Sequence, residues 1–147
     1  MAEENEDAPL TVERIKYEYS RSKPMIYIPE RGLPELRSVA LKDLHDVIGS
    51  DNLAHSSCWY LENFGFKVLM YWDSDGLKHQ RRKNVLASTI LKREGVIHGP
   101  ALFLLDDRDI TLDEFKEIIN HAMTVTDEQL DRWTDEIVEN LREMLKS

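Results

Sequence analysis

Pro100-Ala101-Leu102-Phe103-Leu104-Leu105 is a continuous apolar run, closed by Gly99 on one side and Asp106-Asp107 on the other. Its length suits a buried central strand. A second strand candidate lies at 66–72, where Phe66, Val68, Met70 and Trp72 alternate with Lys67, Leu69 and Tyr71. Both faces are partly apolar, which is the pattern of an interior strand. Asp73-Ser74-Asp75-Gly76 then closes it, because Asp bonds its own backbone and Gly accepts positive φ. Two strands of this kind need a sheet around them and helices on its faces.

Upstream, the elements are shorter. Residues 12–19 fit a strand loosely through Val12, Ile15, Tyr17 and Tyr19. Residues 24–29 read as a strand fenced by Pro24 and Pro29, and proline confines it to a sheet edge or a strand end. The Arg31-Gly32-Leu33-Pro34 turn leads to a short returning strand at 35–39. Leu41, Leu44, Val47 and Ile48 define a helix over 40–48 that Gly49 terminates. Cys58, Trp59, Tyr60 and Leu61 are strand-prone, so 57–61 reads as a further strand.

Downstream, the signals are helical. Asn84 caps a helix over 85–93 that ends in Lys92, Arg93 and Gly95. Thr111 and Glu114 form a capping box for a helix over 112–122, with Leu112, Phe115, Ile118, Ile119 and Ala122 on its core face. Thr126 and Gln129 form another, for a helix over about 127–145. Its seam is Leu130, Trp133, Ile137, Leu141 and Met144. An isolated helix of this length is marginal in water, so the seam needs cover. The cover is this protein's own body or, alternatively, a partner groove or a second copy. The expected class is α+β: a small mixed or antiparallel sheet with short helices, followed by two C-terminal helices. Residues 1–10 read as an acidic disordered tail. Residues 11–147 read as one domain, with its core at about 25–122.

Composition limits what the chain can do. Its 147 residues are enough for one core, and 41% hydrophobic with 32% charged residues is the balance of a soluble globular protein. Cys58 is the only cysteine, so a disulfide framework and a cysteine-built zinc site are excluded. No apolar run approaches the ~20 residues of a membrane span. The acidic first ten residues read as neither a signal nor a transit peptide. The expected setting is intracellular, cytoplasmic with the nucleus as an alternative. The net charge of -9 is uneven. Residues 1–10 carry -4, residues 11–105 carry +3 and residues 106–147 carry -8. Within the middle segment, residues 77–95 reach +5 through Lys78, Arg81, Arg82, Lys83, Lys92 and Arg93 against Glu94.

Across 25–105 the order of features is distinctive. A strand ends in the Pro-rich turn Met25–Pro34, and an amphipathic segment ends in Ile48-Gly49. Two strands follow, the second closed by an acidic turn at Gly76. Then come Asn84-Val85-Leu86-Ala87 and Ile97-His98-Gly99, leading into the apolar strand. This resembles the domain of unknown function 3846, a family found in bacteriophages and mobile genetic elements. The resemblance implies a small α+β domain with Asn84, Ala87 and Gly99 as signature positions, and carries no catalytic residue. The acidic tail and the helices after 111 depart from the family's shorter members.

The candidate chemistry is sparse. His45, His55, His79, His98 and His121 show no metal-ligand spacing, and no HExxH motif occurs. Aligning Glu114 with the last ligand of a calcium loop puts Phe103 and Leu105 at positions that must ligate, so that motif fails. Asp106, Asp107 and Asp109 are acids of the kind a helix N-terminus favours. Cys58 has no base adjacent in sequence and reads as buried and inert. No cofactor and no metal is expected. The basic segment supplies candidate binding residues Lys78, Arg81, Arg82, Lys83 and Asn84. The last helix supplies Trp133. The leading expectation is a non-enzymatic protein-interaction module, monomeric or homodimeric, with an unknown protein partner and no membrane association. One alternative is weak, salt-sensitive binding of nucleic acid or another anion through 78–93. Another is an enzyme with a site near His98, Asp106 and Asp107.

Overall fold

The computed structural model describes residues 11–146, so the acidic segment 1–10 lies outside it. The apolar run forms β5 (Ala101–Leu105), buried at every position and central in the sheet. The other strands are β1 (Ser22–Ile28), β2 (Glu35–Ala40), β3 (Leu53–Ser56) and β4 (Val68–Asp73). Their order is β2-β1-β5-β4-β3, with every pairing antiparallel. The helices are α1 (Val12–Ser20), α2 (Leu44–Ile48), α3 (Val85–Leu91), α4 (Leu112–Thr124) and α5 (Asp127–Lys146). The fold is α+β, with an antiparallel sheet and two helices at its C-terminal end.

Alternation along the strands splits the core in two. Ile26, Ile28, Val68, Met70, Phe103 and Leu105 face α3, α4 and the start of α5. Met25, Val39, Leu102 and Leu104 face α2 through Leu44 and Ile48. The first layer is the thicker, and Val125 and Leu130 extend it past residue 122. Phe103 and Phe115 meet edge-on across it, with ring centroids 5.3 Å apart.

Several segments differ from the expectation. Residues 12–20 are a helix: Thr11 Oγ1 accepts the Arg14 N–H at 3.1 Å. The Thr11 cap at one end and the Arg21 N–H bonded to the Tyr17 carbonyl at the other close this segment as a helix, although none of its residues is buried. β1 is interior, flanked by β2 and β5. Pro24 is tolerated because the pairing with β5 starts only at Ile26. Residues 59–64 form a 3₁₀ turn and no strand; Cys58 at φ 44° breaks the extended chain, and Gly65 ends the turn. The 40–48 helix begins as a 3₁₀ turn over Leu41–Asp43. Leu112 lies on the exposed side of α4.

Both capping boxes are present. Thr111 Oγ1 accepts from Glu114 N at 3.1 Å, and Glu114 Oε1 accepts from Thr111 N at 3.3 Å. Thr126 and Gln129 do the same, at 3.2 and 2.9 Å. These two boxes start α4 and α5 almost back to back. They place α5 beside the 59–64 turn, where its first half packs on the core.

Candidate functional site

The last helix divides along its length. Leu130 is 3% exposed, and Trp133 packs against the main core. Phe64 meets Trp133 edge-on at 6.0 Å and stacks on His121 at 4.0 Å, so the indole sits on a fixed support. Beyond it the same side of the helix loses its cover. Ile137 is 45% exposed, Leu141 52% and Met144 70%, with Val138 at 40% and Leu145 at 87% beside them. The seam read from the sequence is therefore continuous, but the protein's own body covers only its first two turns.

At the point where cover ends, a cavity of about 270 Å³ opens between the 59–64 turn and α5. Trp59 and Trp133 form its aromatic walls, Glu62 and Glu136 its charged rim, and Ile137 its outer edge. Asn63 is tied to the Tyr60 carbonyl at 2.9 Å, and the Tyr60 hydroxyl donates to the Ile90 carbonyl at 2.5 Å. A second cavity, of about 210 Å³, lies on the other flank of Trp59 and is lined by Lys92, Arg93 and Glu94. There Arg93 is held by Asp131, Nη1 to Oδ1, at 2.6 Å. Lys92 Nζ donates to the Val125 carbonyl at 3.4 Å, and burial lowers its pKa against the pull of Asp127.

The basic segment is far more built than a solvated loop. Asp73, at the end of β4, is buried and gathers four donors. These are Ser50 Oγ at 2.8 Å, His79 Nδ1 at 2.8 Å, Arg81 Nε at 2.9 Å and Asp75 N at 2.9 Å. Burial alone raises its pKa. The bonds from His79, Ser50 and Asp75, with the charge of His79, outweigh burial and hold it below the ordinary carboxylate value. Arg81 also donates to the Gly49 carbonyl at 2.7 Å. Its chain lies so close to Gly99, at φ 101°, that a Cβ there would meet Arg81 Cδ at 2.6 Å. Asn84 is buried: Oδ1 accepts from Ala87 N at 3.0 Å, and Nδ2 donates to the Ile28 and Gly99 carbonyls at 3.0 and 2.9 Å.

Of the residues predicted to bind, Arg81 and Asn84 are thus committed to the fold. Lys78, Arg82 and Lys83 remain exposed. His98, Asp106 and Asp107 do not form one site. His98 precedes β5 and the aspartates follow it, so the strand's length, roughly 20 Å, separates them. Among the described residues, no three His, Cys, Asp or Glu side chains come together to hold a metal. Cys58 is buried, and burial pushes its thiol up to about 12. Among the described residues, no helix is long and apolar enough to cross a membrane.

Sequence reasoning missed the pairing of Trp59 with Trp133, because 57–61 read as a strand. Gly65, which ends the turn at φ 86°, was the available signal. Fold and site together define a small α+β domain: a five-stranded antiparallel sheet carrying an overhanging amphipathic helix. No protein-family model matches the chain, and neither a curated protein nor a solved structure does.

Proposed function

We propose that this protein is a non-enzymatic interaction module whose recognition element is the outer half of α5. One observation carries the reading: a single apolar seam that is buried at Leu130 and exposed at Ile137, Leu141 and Met144. A helix continuing past its own support gains little from its apolar side chains in water. A stripe of this width, rimmed by charge, fits a surface that a partner covers. The resemblance to the domain of unknown function 3846 remains part of the proposal, and α5 lies outside its span. Under it, the signature positions Asn84, Ala87 and Gly99 build the fold, and the added helix recognises the partner. We place the module inside the cell, in the cytoplasm or nucleus, in keeping with its one buried cysteine.

The test is affinity purification from the native cell with the wild type and with Ile137→Ser/Leu141→Ser. Both replacements lie on exposed helix surface, so the melting temperature should hold. A co-purifying protein that the wild type retains and the double variant loses supports the reading. An unchanged set of co-purifying proteins refutes it.

A second reading rests on Lys78, Arg82 and Lys83, which stay exposed beside the anchored Arg81. Three such contacts give weak polyanion binding with a log–log salt slope of about -2 to -3, at about 0.7–0.9 per contact. Binding to single-stranded DNA that survives high salt contradicts it.

A further inference from the structure

The outer half of α5 does not stand alone; it begins at the Trp59–Trp133 cavity. The two indoles and two carboxylates of that cavity make a particular chemistry. An indole face attracts a cation through its quadrupole, and more so once water is displaced. A carboxylate at the rim supplies the matching charge. No Lys, Arg or His lines the cavity. Neither carboxylate takes part in an ion pair among the described residues, although Glu139 is paired with Arg142, Glu143 with Lys146 and Asp131 with Arg93. The cavity on the other flank of Trp59 has the opposite balance, with Lys92 and Arg93 in its wall. Charge therefore selects which side of Trp59 a cation enters.

From Ile137 the stripe continues through Leu141 to Met144 and Leu145, at one-turn intervals over roughly 12 Å. An occupant must then present two or three apolar side chains at one-turn intervals, followed by a cation. An amphipathic helix with a Lys or Arg one turn beyond its apolar face meets both requirements. A second copy of this chain fits less well: its α1 exposes Val12, Ile15 and Tyr19 at one-turn spacing, but Glu13 and Glu18 stand among its cations. Its own α5 carries seven acids against three bases and would bring like charge to Glu62 and Glu136. Its own basic segment exposes Leu77 and Val85, eight positions apart and not on one helix.

We infer that the outer face of α5 docks a basic amphipathic helix of a partner protein, and that a Lys or Arg of that helix enters between Trp59 and Trp133 against Glu62 and Glu136. This rests on the reading of α5 as the recognition element and adds the chemistry of what it recognises.

The test uses a fluorescein-labelled 16-residue helical peptide with Leu at one-turn spacing and Lys at its polar positions. A companion peptide carries Gln in place of every Lys. Fluorescence anisotropy is measured at about 0.15 M salt with four proteins. They are the wild type, Glu62→Gln/Glu136→Gln, Ile137→Ser/Leu141→Ser, and Glu13→Gln/Asp46→Asn. The last pair removes the same charge from the α1 and α2 surfaces. We expect the Lys peptide to bind the wild type and the Glu13/Asp46 pair alike. It should lose about tenfold with the Glu62/Glu136 pair and bind the Ile137/Leu141 pair weakest. Circular dichroism of each variant checks that it is folded.

Equal weakening by both charge-removing pairs means general attraction to an acidic protein, and overturns the inference. So does failure of the Lys peptide to bind the wild type. If both peptides bind equally and the Ile137/Leu141 pair abolishes both, the docking face stands and the cation site falls. If sedimentation shows a dimer that the Lys peptide does not dissociate, the occupant is a second copy, and the inference falls.

Discussion

Asp73 Oδ2 and Arg81 Nε lie 2.9 Å apart, and that contact turns the most prominent basic loop of the sequence into part of the framework. Arg81 reads as a binding residue when only its neighbours Lys78, Arg82 and Lys83 are in view. In the fold it neutralises a buried carboxylate and reaches the Gly49 carbonyl. Removing one partner of a buried ion pair costs about 3–5 kcal/mol, because the other charge is left without compensation. Arg81→Ala should cost about 3 kcal/mol in urea unfolding, and Lys83→Ala within about 0.5 kcal/mol. Equal, small effects of both would show that the Asp73 network does not stabilise the fold.

The same network sets an acid limit. Asp73 has a lowered pKa in the folded protein, so the folded state binds its proton less readily than the unfolded chain. Its contribution is complete above the unfolded carboxylate value, about 3.9, and is lost as pH falls through the lower folded value. Asp73→Asn should therefore flatten the loss of stability below about pH 4 relative to the wild type. Parallel stability–pH curves for the two proteins in that range would contradict the assignment.

Asn84 separates a structural from a binding role. Asn84→Ala removes a helix cap, worth about 1 kcal/mol. It also leaves the buried Ile28 and Gly99 carbonyls without their donor, at about 1–3 kcal/mol each. A total of about 3–7 kcal/mol is expected. Asn84→Asp keeps the cap acceptor but cannot donate to either carbonyl, so it should be nearly as harmful. Stability retained by Asn84→Asp would show that the cap, not the bridge, matters.

Cys58 is buried, with its thiol pushed up to about 12, so the thiolate is scarce at neutral pH. A thiol reagent at pH 8 should leave it unmodified in the native protein and label it fully in denaturant. Rapid native labelling would contradict its burial.

The strands at 66–72 and 100–105 were legible because apolar residues on both faces can only lie inside a sheet. The capping boxes at Thr111 and Thr126 were legible because they are local hydrogen-bond patterns. The helix at 12–20 was not, since its four β-prone residues outweigh one Thr cap on any residue count. The turn at 59–64 was hidden because Cys58 adopts a left-handed φ that its side chain does not favour. The candidate site was half legible. The seam from Leu130 to Met144 could be read off, but where its cover stops depends on how far the body reaches beneath α5. Trp59 entered the site through tertiary packing alone.

Leu130 and Leu141 offer a matched pair on one helix. Leu130→Ala removes a side chain from the core and should cost about 2–4 kcal/mol. Leu141→Ser alters an exposed position and should change stability by about 0.5 kcal/mol at most. Trp133→Ala should fall between them in chemical denaturation, since the indole is only partly buried.

Residue-resolved amide exchange along α5, with and without the Leu/Lys peptide, tests the central claim most directly. The account predicts slow exchange at 131–135 in the free protein and fast exchange at 139–145, where the helix has no support. Peptide should then slow 139–145 at least about tenfold and leave α4 unchanged. Uniform slow exchange across α5 in the free protein, or no change at 139–145 with saturating peptide, would contradict it.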